Sequence, residues 1–368
     1  MNMKPLRYRI EKKSLPSGEL GYYLVKDIRV GRKKAKVTSY LGEEAPRPDT
    51  IDAIVREHYL KLELKAAYKK AELSSSQYLI DYLDEKKGKE LLELLEKTKY
   101  LCLALDSLLY DDEMEEYEKQ FELQYVHGTT SIEGNTLSLN DVRLLMEEGI
   151  APSGKDLREM FEVLNFKEVK KYRDHYKKKV TLDFIKKIHS LVMNNIQPES
   201  AGVFRRIDSI GISGRDFQLT PAIEIENELQ EIIDEYYARV ESGYCPFFEA
   251  LVFHHKFELI HPFTNGNGRV GREVLNYMLM REKCPRLLFL GKDRGKYLSA
   301  LMKADDGDYG SMIYDMAMLI IDQRLHSVQK QLDNLGRYKT RMKIEIKVPD
   351  SLIDSNNKDE WKPFLKAD

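Results

Sequence analysis

Polar and apolar residues alternate over residues 6 to 41 in short runs divided by turn residues: LRYRIEK, PSGE, LGYYLVKDIRV, GRKK and AKVTSYLG. A period of two, interrupted by Gly, Pro and charged residues, predicts a small antiparallel sheet with hairpin turns. The segment EEAPRPDT at 43 to 50 sets two prolines among acids. It reads as a linker entering a helix, with Asp49 or Thr50 as the cap. From Ile51 the period changes. Apolar residues then recur at spacings of three and four, as in LIDYLDEKKGKELLELLEKTKYLCLALDSLL, the pattern of amphipathic helices. That periodicity continues almost to Leu332, with breaks at 128 to 140, 148 to 156, 195 to 202, 211 to 221 and at HPFTNGNGR. The chain after Leu335, with its NNKDE run, reads as a loosely ordered tail, and no internal repeat is visible. The pattern as a whole predicts a mainly α protein. A β-hairpin unit is expected over 1–45, a helical extension over 46–115, the main helical domain over 116–325, and a helical end with its tail over 326–368.

The length of 368 residues suits two or three domains. Lys and Arg number 59 against 61 Asp and Glu, a net charge of -2, so no global field draws the chain to nucleic acid or membrane. The runs DDEMEEYEK at 111 to 119 and KKYRDHYKKK at 170 to 179 read as solvated helix faces. The basic turn GRKKAK at 31 to 36 differs, because it caps a separate sheet; it is the candidate docking site for a partner or nucleic acid. Cys102, Cys245 and Cys284 lack CxxC spacing and read as reduced, buried thiols. The N-terminus has no apolar core after its basic residues, and no segment approaches the ~18 apolar residues of a membrane span. A cytoplasmic protein without a membrane partner is expected.

The chemistry concentrates in FHHKFELIHPFTNGNGRVGREVLNYMLM, 253 to 280. Both ends are helical, so HPFTNGNG is a loop feeding a helix N-terminus. Gly266 and Gly268 allow successive N–H groups to converge on a phosphate, and the helix dipole behind them favours negative charge. Arg269 and Arg272 lie three apart, where two guanidinium groups can clamp separate phosphates. His261 precedes the loop and has the near-neutral pKa of a general base, while Phe263 is placed to anchor the loop in the core. Each feature is common alone; a nucleoside triphosphate site explains all of them together.

HPFTNGNGRVGR resembles the Fic signature, HxFx(D/E)GNGRxxR, at every position but one. The segment AGVFRRIDSIGISGRDFQLTP resembles that family's flap hairpin, and the likeness covers about residues 120 to 325. It implies a Fic-type helical bundle with a short β-hairpin flap. It also implies a protein adenylyltransferase: His261 deprotonates a Ser, Thr or Tyr hydroxyl of a target protein, which attacks the α-phosphate of ATP and expels pyrophosphate. By the same likeness Gly266, Asn267, Gly268 and Arg269 hold the α- and β-phosphates and Arg272 takes the γ-phosphate. Ile212, Ser213 and Gly214 touch ATP through backbone groups, and Tyr297 and Asp305 meet the nucleoside. Asn265 is the departure, since relatives place there the acid that holds Mg²⁺. An amide oxygen ligates a hard cation without that charge, which leaves Mn²⁺ as an alternative metal.

Upstream, TTSIEGN at 129 to 135 resembles the family's inhibitory motif (S/T)xxxE(G/N), with Thr129, Glu133 and Gly134 in place. The likeness places an inhibitory helix at about 122–134, in the same chain before the core, and implies that Glu133 restrains transfer by pairing with Arg272. Self-adenylylation and a homodimer are further family expectations. Two alternatives stay open: removal of AMP by a water that Glu133 positions, and a catalytically silent, nucleotide-gated regulator, which Asn265 favours.

Overall fold

The computed structural model describes residues 8–47, 50–208 and 219–342. The chain divides into two compact units. One comprises residues up to Gln77, Lys89–Glu115 and the chain from Arg324 onward; the other comprises Tyr78–Gly88 and Glu116–Gln323.

In the first unit three antiparallel strands, β1 (Tyr8–Ser14), β2 (Leu20–Val30) and β3 (Lys33–Gly42), form a sheet in the order β1-β2-β3. Tyr8 pairs with Lys26, Ile10 with Leu24, Leu24 with Ser39 and Ile28 with Ala35. Tyr8, Ile10, Leu24 and Ile28 thus share one face, all of them buried. Helix α1 (Ile51–Ser75) packs on the sheet through the Tyr8 and Tyr59 rings and through Ser39 Oγ, 2.8 Å from His58 Nδ1. Within this interface the Tyr8 hydroxyl and the Lys26 ammonium both donate to the Glu63 carboxylate. The N-terminal sheet is the one the alternating pattern predicts. Helix α2 spans Glu85–Leu108.

The second unit is helical: α3 (Asp111–Ile132, from Glu116), α4 (Leu139–Arg143) with a π turn to Glu148, α5 (Leu157–His175), α6 (Leu182–Val192), α7 (Ile225–Glu241), α8 (Pro246–Ile260), α9 (Asn267–Arg281), α10 (Arg294–Asp305) and the first part of α11 (Tyr309–Met342). α8 is apolar around its whole circumference, PFFEALVFHHKFELI, and is accordingly buried along nearly its full length. α7 and α9 pack against it, and α6 packs on α9. The mainly helical expectation is met. Of the expected flap, residues 209–218 lie outside the described residues, Ile212, Ser213 and Gly214 among them.

A buried ionic network ties α3, α5 and α9 together. Arg173 on α5 donates from Nη2 to Glu122 Oε2 on α3 at 3.0 Å and from Nη1 to Glu273 Oε1 on α9 at 3.1 Å. Arg286 Nη1 reaches the same Glu122 at 2.9 Å, and the Tyr125 hydroxyl donates to Glu273 at 2.8 Å. Burial works against the Glu122 charge, but Arg173 and Arg286 outweigh it and hold its carboxyl below the usual range. Removing the central cation leaves two buried carboxylates with fewer counter-charges, a change that costs about 3–5 kcal/mol. Arg173→Met is therefore expected to lower the unfolding free energy by about that amount in urea titration. A loss below about 1 kcal/mol would show that the network does not hold these helices.

Candidate active site

The loop begins where α8 ends. His261 is the C-cap of α8 in the left-handed region, φ 48°, and its N–H donates to Phe257 O at 3.0 Å. Phe263, fully buried, pins the loop to the core by stacking on His189 of α6 at 3.7 Å with 2° between the rings. Gly266, at φ 78°, is the N-cap of α9, a conformation that suits glycine. A Cβ there would also lie 2.8 Å from Met193 Sδ. The helix ladder starts with Val270 N–H to Gly266 O at 3.0 Å. The N–H groups of Asn267, Gly268 and Arg269 occupy the first turn, where no intrahelical acceptor exists, at the positive end of the α9 dipole. Such a helix N-terminus has the geometry to receive an anion.

The amide of Asn267 does not point at that site. Its Oδ1 accepts from Phe263 N at 2.9 Å and its Nδ2 donates to Phe263 O at 2.8 Å, so it braces the loop. Any contribution of Asn267 to phosphate binding therefore comes from its backbone. The Asn265 Oδ1 accepts from Gly266 N at 2.8 Å. Among the described residues, no group of three or more His, Cys, Asp or Glu is placed to hold a metal ion.

Both arginines are buried on α9 and each faces a carboxylate. Arg269 Nη1 lies 3.1 Å from Glu162 Oε1 on α5. Arg272, its side chain 1% exposed, donates from Nε to Thr129 Oγ1 at 2.9 Å, and from Nη2 to Thr129 O at 2.8 Å and Glu133 Oε1 at 2.7 Å. Burial opposes the Arg272 charge, yet Glu133 and Tyr297 raise its pKa above the ordinary guanidinium range. Burial likewise opposes ionisation of Glu133, and Arg272 overcomes it, drawing the carboxyl below its usual range. The Glu133 side chain remains 30% exposed.

Glu133 stands at the first turn of α9. A Cβ built on Gly268 would lie 2.5 Å from Glu133 Oε1 and 2.8 Å from Arg272 Nη1, so glycine is what lets the carboxylate approach the first turn of α9. Local structure fixes this position. α3 ends at Ile132, Gly134 turns the chain at φ 99°, and Asn135 Nδ2 donates to Glu162 Oε2 and Glu159 O, both at 3.0 Å. Thr129, one turn before Glu133, is fully buried.

Tyr297 and Asp305 lie on α10, close to the histidines of α8. The Tyr297 hydroxyl is 2.9 Å from His254 Nε2, its ring stands 5.9 Å from the Arg272 guanidinium, and burial raises its pKa. Asp305 Oδ1 is 2.9 Å from His255 Nε2. Tyr297 thus borders the Arg272 cluster, whereas Asp305 is engaged by the next histidine along.

Two supporting residues escape a reading of the sequence alone. Arg205 donates to the carbonyls of His261 at 2.9 Å and Ile260 at 3.2 Å, and also to Thr220 O, while its own N–H donates to Pro262 O at 2.9 Å. It satisfies the carbonyls at the end of α8 and so orients His261. In FRR, nothing in the residue types distinguishes buried Arg205 from exposed Arg206. His189 is the second. Its Nδ1 accepts from Gly202 N at 2.7 Å, leaving Nε2–H to donate to Asn265 O at 3.1 Å. That pairing requires the neutral ring, and burial lowers its pKa to about 4. The unfolded chain takes up a proton between pH 6.5 and 4 that the fold refuses, so this stability is present above pH 6.5 and falls with pH. By pH 5 the loss amounts to about 2 kcal/mol. Urea titrations at pH 7 and pH 5 should show a smaller difference for His189→Asn than for the wild type; equal differences would remove His189 as the source.

Residues 179–279 match the Fic/DOC family. The chain is 32% identical over 191 residues to the protein adenylyltransferase fic-1 of Caenorhabditis elegans, covering 50% of this chain and 37% of that protein. With the protein adenylyltransferase Fic of Nematostella vectensis it shares 29% over 236 residues, covering 63% of this chain and 51% of the relative. The chain therefore spans about half or less of the length of these relatives. Among solved structures, a Fic domain containing signaling protein from Bacteroides thetaiotaomicron superposes with a TM-score of 0.57 at 20% identity, over 64% of this chain and 96% of that one. A Fic-1 fragment from C. elegans gives 0.56 at 23%, over 76% and 83%. Residues 179–279, which carry α6 to α8, the loop and nearly all of α9, are thus similar to the Fic/DOC family.

Proposed function

We propose that this chain is a protein adenylyltransferase that moves AMP from ATP to a hydroxyl of a protein, itself included, and that Glu133 holds it in check. The observation that carries the reading is the placement of Glu133 beside Arg272 at the N-terminus of α9. A site built for anions and filled by the chain's own carboxylate is what a restrained nucleotide site requires. With the carboxylate withdrawn, Arg272, Arg269 and the first-turn N–H groups of α9 face the polyphosphate. His261 takes the proton of a Ser, Thr or Tyr hydroxyl, whose oxygen bonds to the α-phosphorus as the bond to the β-phosphate oxygen breaks. Pyrophosphate leaves with its charge stabilised by the same preorganised donors. ATP enters with Mg²⁺ or Mn²⁺, for which the loop offers the Asn265 carboxamide, already accepting from Gly266 N. Among the described residues no group of side chains makes a metal site by itself, and the phosphates and water supply the remaining ligands. The homologous proteins named adenylyltransferases support the reading.

Parallel incubations of Glu133→Gly with ATP labelled at the α or the γ position test the reaction class. Label from the α position alone is expected on the protein. Retention of γ label would identify phosphoryl transfer and overturn the proposal.

A further inference from the structure

The N-terminal sheet carries a charge that the rest of the chain lacks. Residues 8–42 hold nine Lys and Arg against three Asp and Glu, a net +6 in a chain of net -2, so the remaining residues carry -8. The excess gathers at the β2–β3 hairpin, where Arg29, Arg32, Lys33, Lys34 and Lys36 are all exposed. Arg29 lies directly across from Lys34, and Val30 from Lys33, around a turn with Gly31 at φ 56°. Like charges set opposite one another destabilise a sheet, so folding alone does not account for this arrangement.

Nor do neighbouring acids neutralise it. Glu11 and Asp27 are taken by Arg9 and Lys36: Arg9 contacts both acids, and Lys36 Nζ donates to Glu11 Oε2 at 2.7 Å. Arg29 Nε donates to Gly31 O at 3.0 Å and Lys33 Nζ to Ser76 Oγ at 2.7 Å, both uncharged acceptors. Among the described residues no carboxylate forms an ion pair with Arg29, Arg32, Lys33 or Lys34. Toward the other end of the hairpin Tyr40 is 46% exposed, its ring 5.2 Å from that of Tyr23, with Lys13 Nζ 4.8 Å over Tyr23. Between Lys26 and Lys36 no large apolar side chain is exposed that would anchor the hairpin in lipid.

We infer that this sheet docks nucleic acid, its exposed cations lying along the phosphates and the Tyr23–Tyr40 pair offering a stacking surface to an unpaired base. A row of cations on a strand repeats every second residue, about 6.8 Å, and so tracks a linear polyanion. Aromatic rings beside such a row are the feature that single strands use. The inference stands independently of AMP transfer.

The test is fluorescence anisotropy of the full chain with a fluorescein-labelled 20-nucleotide oligo(U) RNA and a 20-base-pair DNA duplex, from 50 to 200 mM KCl. Three or four phosphate contacts predict that affinity for the RNA falls about 20- to 50-fold over that range. Arg32→Glu/Lys34→Glu should bind at least about tenfold more weakly with a shallower salt slope, its melting temperature not lowered and its self-labelling unchanged. Tyr40→Ala should weaken RNA binding and spare the duplex. Absence of binding to both probes at 50 mM, or equal binding by wild type and the charge-reversed variant, overturns the inference. So does tighter binding to phosphatidylserine vesicles that the same variant abolishes, which would assign the sheet to a membrane surface.

Discussion

Glu133→Gly is expected to label itself with AMP about 10- to 100-fold faster than the wild type. The range follows from what replaces what. A hydrogen bond to a charged group contributes about 1.5–3 kcal/mol, and the carboxylate gives Arg272 one such bond at 2.7 Å. Glycine removes that competitor for the guanidinium and opens the space beside Gly268 that the carboxylate fills. Arg272 keeps its two bonds to Thr129, so its position survives the change. Glu133→Gln, which retains the volume without the charge, is expected to fall between the two. Initial rates at saturating ATP decide the matter. A rate in Glu133→Gly equal to or below that of the wild type would mean that the carboxylate assists the reaction or lies outside it, and would favour its use in AMP removal.

His261→Ala in the Glu133→Gly background is expected to lower the rate by about 10²–10⁴, the usual contribution of a positioned general base. His261 is half-buried at the end of α8, with its carbonyl held by Arg205. ATP binding, measured by calorimetry, should therefore be unchanged, because the proposed phosphate contacts come from α9, Arg272 included. Loss of binding together with rate would make His261 a scaffold of the loop. An unchanged rate would assign the proton transfer to another group. Arg205→Lys offers a graded comparison: Lys cannot span several carbonyls at once, so His261 loses orientation and the maximal rate should drop while ATP affinity holds.

Much of this arrangement is legible in the sequence, and the reasons differ from one element to the next. The period-two runs of residues 6 to 41 and the change to helical spacing at Ile51 correspond to β1–β3 and α1, because one face of each element is buried and the pattern records it. The loop can be read because its residues are contiguous: a histidine, three glycines and two arginines occur within the twelve positions from His261 to Arg272. Glu133 could be found only through its motif, since its partner lies 139 residues away. The supports were not legible. Arg205, His189 and the Glu122–Arg173–Glu273 network act through burial and backbone carbonyls, which residue type and spacing do not encode. Asn267 shows the converse: as part of the signature it suggests ligand contact, yet its side chain closes the loop onto Phe263.

The most direct test incubates wild type, Glu133→Gly and Glu133→Gly/His261→Ala with α-labelled ATP, in Mg²⁺ and in Mn²⁺ separately, and measures label retained on each protein. Weak or absent label on the wild type, strong label on the single variant and its loss in the double variant are the predicted result. Absence of label from every protein with both ions, while each still binds ATP, would contradict AMP transfer and assign the site to nucleotide sensing.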